Sequence, residues 1–415
     1  MDQVIALQCV LCGRRYDPAE ARYTCPSCGD AGILDVVYDY DVVRARLDRH
    51  LLSRNPERTM WRYAPLLPVE DILQGSPLTV GWTPLYRGTC LAEALDLPCL
   101  ELWIKDDGRN PSASLKDRAS AVALVRAREE QAPVIAAAST GNAASSLACL
   151  CASVGQRCII FVPQTAPPAK VAQLLIFGAQ VLLVKGSYDD AFDLCMEASR
   201  AYGWYNRNTA VNPYMSEGKK TVALEVCEQL HWEAPDIILV PVGDGCIIGG
   251  VGKAVRDLLA LGWIERAPRI IGVQAAGSAV LATAWQKGTE EIVPVPPTTL
   301  ADSISVAQPR DAIKALRAVR DTGGEFVTVS DEEILAAMRL LGQTMGVFAE
   351  PAGAASVAGL VRMAHQGRLR GMERVVALVT GNGLKDVASA LKAVPEPVRV
   401  EPSLEAVRRV LEVGS

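Results

Sequence analysis

Histidine is nearly absent. His50, His231 and His365 are the whole supply in 415 residues, and none lies in the glycine-rich segments. A His-based catalytic triad or a poly-histidine metal centre therefore has no material to be built from. Basic charge is not in surplus either: 42 Lys and Arg stand against 47 Asp and Glu, for a net charge of -5. That balance excludes the basic face a dedicated nucleic-acid binder needs. No apolar run approaches the roughly 18 residues of a membrane span. Val4-Ile5-Ala6-Leu7 is too short for the core of an export signal and runs into cysteine. The expectation is a cytoplasmic chain with a small-molecule ligand, no nucleic acid and no membrane partner. Half the residues are hydrophobic and 21% charged, ordinary for a chain able to bury a large core, and the length predicts two packed domains with a small appendage.

Cysteine, by contrast, is plentiful, with twelve residues. In a reducing compartment these are metal ligands, reactive thiols or small core residues before they are disulfides. Cys9-Val10-Leu11-Cys12 and Cys25-Pro26-Ser27-Cys28 form two C-x2-C pairs with twelve residues between them, each followed by glycine (Gly13, Gly29). Two such knuckles can wrap one tetrahedral ion. A segment of about thirty residues cannot fill a core, so the ion would supply most of its folding energy. Cys9, Cys12, Cys25 and Cys28 are predicted to hold structural zinc, with iron as the alternative metal and no catalytic role. The other eight cysteines sit among apolar neighbours and read as packing.

After a polar, arginine-rich stretch near 41–65 the chain alternates β-type and helical runs. PVIAAAST, CIIFVP, AQVLLV, DIILVPV, RIIGVQA, EFVTVS and VVALVTGNG read as strands. Helical patterns lie between them, as in KVAQLLIF before Gly178, and Ser330 with Glu333 makes a capping box. This is a three-layer α/β architecture with parallel strands. Ligands of open α/β sheets bind at the carboxyl ends of the strands. Three glycine-rich turns fall at such ends: Ser139-Thr140-Gly141-Asn142, Gly243-Asp244-Gly245-Cys246 and Gly381-Asn382-Gly383. The second precedes a helix, so its amides and the helix start form an anion cradle. It is neither a Walker A loop nor a clean dinucleotide fingerprint.

Taken in order, the motifs carry a resemblance. Asn110-Pro111-Ser112-Ala113-Ser114-Leu115-Lys116-Asp117-Arg118 comes first, then Ser139-Thr140-Gly141-Asn142, the Gly243 loop and Val379-Thr380-Gly381-Asn382-Gly383. With Gly81-Trp82-Thr83-Pro84-Leu85, Asn212-Pro213-Tyr214, Glu217-Gly218-Lys219-Lys220-Thr221 and Glu350-Pro351-Ala352-Gly353, the set resembles the fold-type II pyridoxal-phosphate enzymes, and within them the threonine synthases. The resemblance implies two α/β/α domains: a large cofactor-binding domain of 35–120 and 215–395 and a small one of 121–214. A zinc-ribbon-like segment at 1–34 would precede them and a tail helix at 396–415 would follow. It implies that Lys116 holds the cofactor covalently and moves protons, and that Asn142 donates to the cofactor's 3′ oxygen. It implies that Gly243, Asp244, Gly245, Cys246 and Ile247 hold the cofactor phosphate and that Thr380 faces the pyridine nitrogen. Ser139, Thr140 and Gly141 would grip the substrate carboxylate. The implied reaction converts O-phosphohomoserine and water to L-threonine and phosphate, in a homodimer.

Two positions depart from the family pattern. Ala113 replaces a flexible glycine. Met215 stands where many threonine synthases carry an arginine for the substrate phosphate, and a thioether cannot make that bond. Arg207, Lys219 or Lys220 would then have to take the phosphate. A serine or threonine ammonia-lyase of the same fold needs no such set, and a phosphoserine β-replacement enzyme is a further relative. A non-catalytic ligand sensor is the reading from another class, and the retained Lys116 speaks against it.

Overall fold

The computed structural model describes residues 1–166 and 168–413. Six strands form the larger sheet in the order Glu325–Val329, Arg269–Ala275, Ile237–Pro241, Arg374–Val379, Glu101–Asp106 and Leu85–Arg87. All pairs are parallel except the last, where Leu85 lies opposite Lys105 in an antiparallel edge. The period-2 alternation of the strands divides the core. Ile237, Leu239, Val273 and Val375 face the helices Asp331–Met345 and Pro351–His365. Ile238, Val240, Val376 and Leu378 face the helices Tyr214–Gln229 and Cys246–Leu261. Burial on both faces is why these strands read as unbroken apolar runs rather than as alternating ones. The capping box of Ser330 and Glu333 forms, and it fixes the start of its helix.

A second, four-stranded parallel sheet has the order Tyr205–Asn206, Ile135–Ala138, Cys158–Pro163 and Gln180–Val184. The helix Lys116–Glu129 packs between the two sheets, against Tyr214–Gln229 on one side and Asn142–Ala152 on the other. A division at 120/121 falls inside this helix. The N-terminal cysteine segment is an antiparallel sheet whose longest strand, Gly29–Tyr38, runs past position 34 into the body of the protein. At the other end, the helix Leu404–Val413 leaves Leu404 and Leu411 exposed. Residues 414 and 415 of the expected tail lie outside the described residues. No helix among the described residues is long and apolar enough to cross a membrane.

A buried charge cluster locks the large sheet to the Lys116 helix. Arg118 binds Asp107 and Glu225, and Lys105 donates to Glu225 at 2.7 Å. Glu225 also accepts from the backbone N–H of Trp82 at 2.7 Å and of Thr83 at 3.3 Å. The Gly81-Trp82-Thr83-Pro84-Leu85 motif is thus a collar around one carboxylate. Gly81 is required there: its φ is +83°, and a Cβ would meet Glu225 Oε1 at 2.7 Å. Burial pushes the Glu225 carboxyl up, yet Arg118 and Lys105 together hold it down at about 2.

Candidate active site

Lys116 opens its helix directly above the carboxyl end of the strand Arg374–Val379. Backbone bonds stitch the two turns together: Leu115 N–H donates to Thr380 O at 2.9 Å and Asn382 N–H to Ala113 O at 3.0 Å. Ala113 has φ +64°, so the left-handed turn that suits glycine is kept with an alanine in it. That costs on the order of 1 kcal/mol, which the surrounding hydrogen bonds must offset. The residue next to the helix start is Leu115, in αR geometry, and Ser114 Oγ accepts from Lys116 N–H at 3.3 Å. Asp117 points away and accepts from the Ser112 backbone at 2.7 Å.

A narrow recess is lined by Lys116, Asn142, Gly243 through Ile248, Ser303, Glu350 and Thr380. It shares Lys116, Asn142, Asp244, Cys246 and Ser303 with a cavity of about 630 Å³ whose walls also include Ser139, Thr140, Gly141, Arg207 and Lys219. The turns that followed separate strands in the sequence therefore meet at one place. The Gly243 loop is shaped for close approach by backbone alone. A Cβ on Gly243 would lie 2.7 Å from Ile304 Cα. Gly245 has φ +92°, and a Cβ there would meet Asp311 O at 2.7 Å. Gly245 also caps the helix Cys246–Leu261, so the first helical amides face the recess.

Arg207 and Lys219 stand in the cavity wall with Lys116. Burial lowers Lys116 to about 8, and the charges of Lys219 and Arg207 push the same way. Arg207 donates from Nε to Ser120 Oγ at 3.1 Å and from Nη1 to Thr209 Oγ1 at 3.2 Å. Its buried Nη2 has no partner among the described residues. Lys219 donates to Thr209 Oγ1 at 3.3 Å, and neither cation makes an ion pair among the described residues. Burial lowers both of their pKa values, Arg207 to about 10. Two desolvated, unpaired cations beside one cavity are costly unless an anion joins them.

Lys220 is elsewhere. It sits in a buried cluster with Glu217 at 2.6 Å and Asp257 at 2.7 Å, and so is not available to a substrate phosphate. Met215 is fully buried and does not line the cavity. Arg207, which lines the cavity, comes instead from the end of the strand Tyr205–Asn206.

Sequence reasoning named Glu350 within a motif but gave it no role. It lines the recess, accepts from Asn142 Nδ2 at 2.8 Å, and is raised by burial to about 7. The available signal was its place immediately before Pro351 at a helix start. The segment holding Asp302, Ser303 and Arg310 was missed, because it carries no regular pattern.

The four thiols of the N-terminal segment converge. The sulfurs of Cys9, Cys12, Cys25 and Cys28 all lie within 4.8 Å of one another, with Cys12 and Cys25 at 3.8 Å. Tetrahedral zinc with Zn–S bonds of about 2.3 Å sets sulfurs ~3.8 Å apart. Gly13 and Gly29 take positive φ, +71° and +65°. Gly32 is equally constrained, since a Cβ there would lie 2.5 Å from that of Cys25.

Comparison with known proteins gives the following. Residues 77–381 match the family described as pyridoxal-phosphate dependent enzyme. The chain is 38% identical to threonine synthase of Methanocaldococcus jannaschii, over 98% of this chain and 99% of the relative. It is 38% identical to threonine synthase of Methanosarcina acetivorans, over 98% of each. Among solved structures, the processed form of threonine deaminase isoform 2 from Solanum lycopersicum aligns with a TM-score of 0.66 and 22% identity, covering 80% of this chain and 92% of that one. Maize serine racemase gives 0.63 and 21%, covering 80% and 93%. At such low identity these two structures speak to the fold alone.

Proposed function

The chain belongs to the pyridoxal-phosphate-dependent enzymes and within them to the threonine synthases, and from that premise we propose how its residues carry O-phosphohomoserine and water to L-threonine and phosphate. The observation that carries this reading is the pair of buried, unpaired cations, Arg207 and Lys219, beside the same cavity as Lys116. A phosphorylated substrate satisfies them; an unphosphorylated hydroxy amino acid does not.

The residues of the recess fit the cofactor. The glycine-walled loop Gly243–Ile247 would offer amides to its phosphate, Lys116 would hold it covalently, and Asn142, kept in place by Glu350, would donate to its 3′ oxygen. Thr380 would offer a hydroxyl to its ring nitrogen. Pyridoxal phosphate, when bound, supplies an electron sink for charge developing at the substrate Cα. Ser139, Thr140 and Gly141 hold the substrate carboxylate at the start of the helix Asn142–Ala152. Lys116, with its pKa lowered to about 8, takes the proton from Cα and then serves the proton transfers at Cβ and Cγ near neutral pH. Arg207 and Lys219 hold the phosphate as it leaves Cγ, and water adds at Cβ. The four thiolates of Cys9, Cys12, Cys25 and Cys28 hold zinc in a structural role. A cytoplasmic homodimer completes the reading; the exposed side chains of Leu391, Val398, Leu404 and Leu411 offer apolar surface for a second copy.

The deciding experiment incubates the enzyme separately with O-phosphohomoserine, threonine, serine and phosphoserine, and assays phosphate, 2-oxo acids and amino acids. Phosphate and threonine should form from O-phosphohomoserine alone. Oxobutyrate from threonine, with no turnover of O-phosphohomoserine, would overturn the reading. Arg207→Leu should raise the KM for O-phosphohomoserine roughly 30- to 100-fold while cofactor absorbance stays, because a desolvated charge-assisted bond is lost. Cys25→Ser should take bound metal from about one per chain to near zero and lower the melting temperature, with the cofactor retained. Loss of cofactor from a folded Cys25→Ser protein would contradict the structural assignment of the ribbon.

A further inference from the structure

The strand that delivers Arg207 is a sheet edge. Tyr205 N–H and Arg207 N–H donate inward, to Val134 O and Ala136 O, each at 2.9 Å. Successive amides of a strand point to opposite sides, so the N–H of Asn206 points outward, where the described residues place no further strand. The ribbon fills that place. Tyr23, between the two cysteine pairs, accepts the Asn206 N–H on its hydroxyl at 2.8 Å. Its ring meets Tyr205 edge-on, with centroids 6.2 Å apart at 80°. Arg22 lies over the Tyr23 ring at 5.2 Å and pairs with Glu130 at 2.8 Å, fixing the ribbon to the end of the Lys116 helix.

A second strut reaches the other cation. Tyr38, at the end of the strand Gly29–Tyr38, donates to Glu217 at 2.7 Å, and Tyr40 donates to Asp257 at 2.8 Å. Glu217 and Asp257 hold Lys220, the neighbour of Lys219 on the same helix. The N-terminal segment thus reaches both sides of the cavity, through the backbone N–H next to Arg207 in one case and through the carboxylates that hold Lys220, the neighbour of Lys219, in the other.

We propose that Tyr23 is a positioning residue for the phosphate end of the substrate: it caps the open edge of the strand and so fixes the Arg207 guanidinium, making the cysteine ribbon part of the substrate-affinity apparatus. The inference rests on the threonine synthase reading for its substrate but not for its anion. Tyr23→Phe keeps the ring packing and removes only the acceptor, leaving the Asn206 amide buried and unpaired.

In the holoenzyme, Tyr23→Phe should raise the KM for O-phosphohomoserine roughly five- to tenfold and weaken calorimetric binding of inorganic phosphate by a similar factor. The kcat should change less than about twofold, with cofactor absorbance and metal content unaltered. In an Arg207→Leu background the same substitution should add nothing further, since its effect passes through that side chain. An unchanged KM, an equal fall in kcat with cofactor loss, or an undiminished KM effect without Arg207 would each overturn the proposal. If the wild type fails to turn over O-phosphohomoserine yet binds inorganic phosphate in a Tyr23-dependent way, the substrate reading falls and this inference stands. Absence of both turnover and phosphate binding sinks the two together.

Discussion

On the proposed reading one amine would serve both as covalent anchor and as proton carrier, so Lys116→Ala should lower turnover of O-phosphohomoserine by at least about a thousandfold. The protein should remain folded: the side chain lies against the cavity, and no hydrogen bond of the surrounding turn depends on its amine. The absorbance of the covalently held cofactor should disappear, while weak, dialysable binding through the Gly243 loop persists. The pH dependence of cofactor uptake by the wild-type apoenzyme follows from the same residue. Burial, together with Lys219 and Arg207, lowers Lys116 to about 8, so the amine is protonated and unreactive below that pH and free above it. The rate of covalent uptake should rise with pH, half-maximal near 8. A rate still climbing towards the pH of an ordinary lysine, about 10.4, would contradict the desolvated placement of this amine.

Glu225→Ala should destabilise the fold by about 3–5 kcal/mol, the usual penalty for removing one partner of a buried ion cluster. Arg118 and Lys105 are both fully buried and would lose their shared counter-ion, while the backbone N–H groups of Trp82 and Thr83 would lose their acceptor. Denaturant unfolding measures this effect. The contribution is also pH-dependent in a defined direction. The folded carboxyl is held at about 2, below its ordinary value of 4.5. Its stabilisation is therefore present above pH ~4.5 and is lost as pH falls towards 2. Wild type and Glu225→Ala should converge in stability at the acid end of that window. A difference of less than about 1 kcal/mol at pH 7 would show that the collar around Glu225 is not a fold determinant.

Much of this was open to reading along the chain. Strands buried on both faces leave uninterrupted Val, Ile and Leu runs, so Ile237–Pro241 and Arg374–Val379 are visible without coordinates. Glycine turns at their ends mark where a ligand can meet backbone, and two C-x2-C pairs mark the four thiols that converge. Local chemistry of this kind is written in consecutive residues. Other features depend on which distant segments come together. Nothing in the residues around Met215 says that an arginine eight positions earlier faces the cavity in its stead. That is decided by the parity of an edge strand against Ile135–Ala138. Lys219 and Lys220 are adjacent and chemically alike. Helical rotation of about 100° per residue sends one to the cavity and the other into a buried cluster with Asp257. Glu350 looks like a surface helix start until packing buries it against Asn142. The sequence determined which elements form and which chemistry they can carry, because those depend on neighbours in the chain. The tertiary structure decided which cations are desolvated together, because Coulomb energy and burial depend on distance in space and not on separation along the chain.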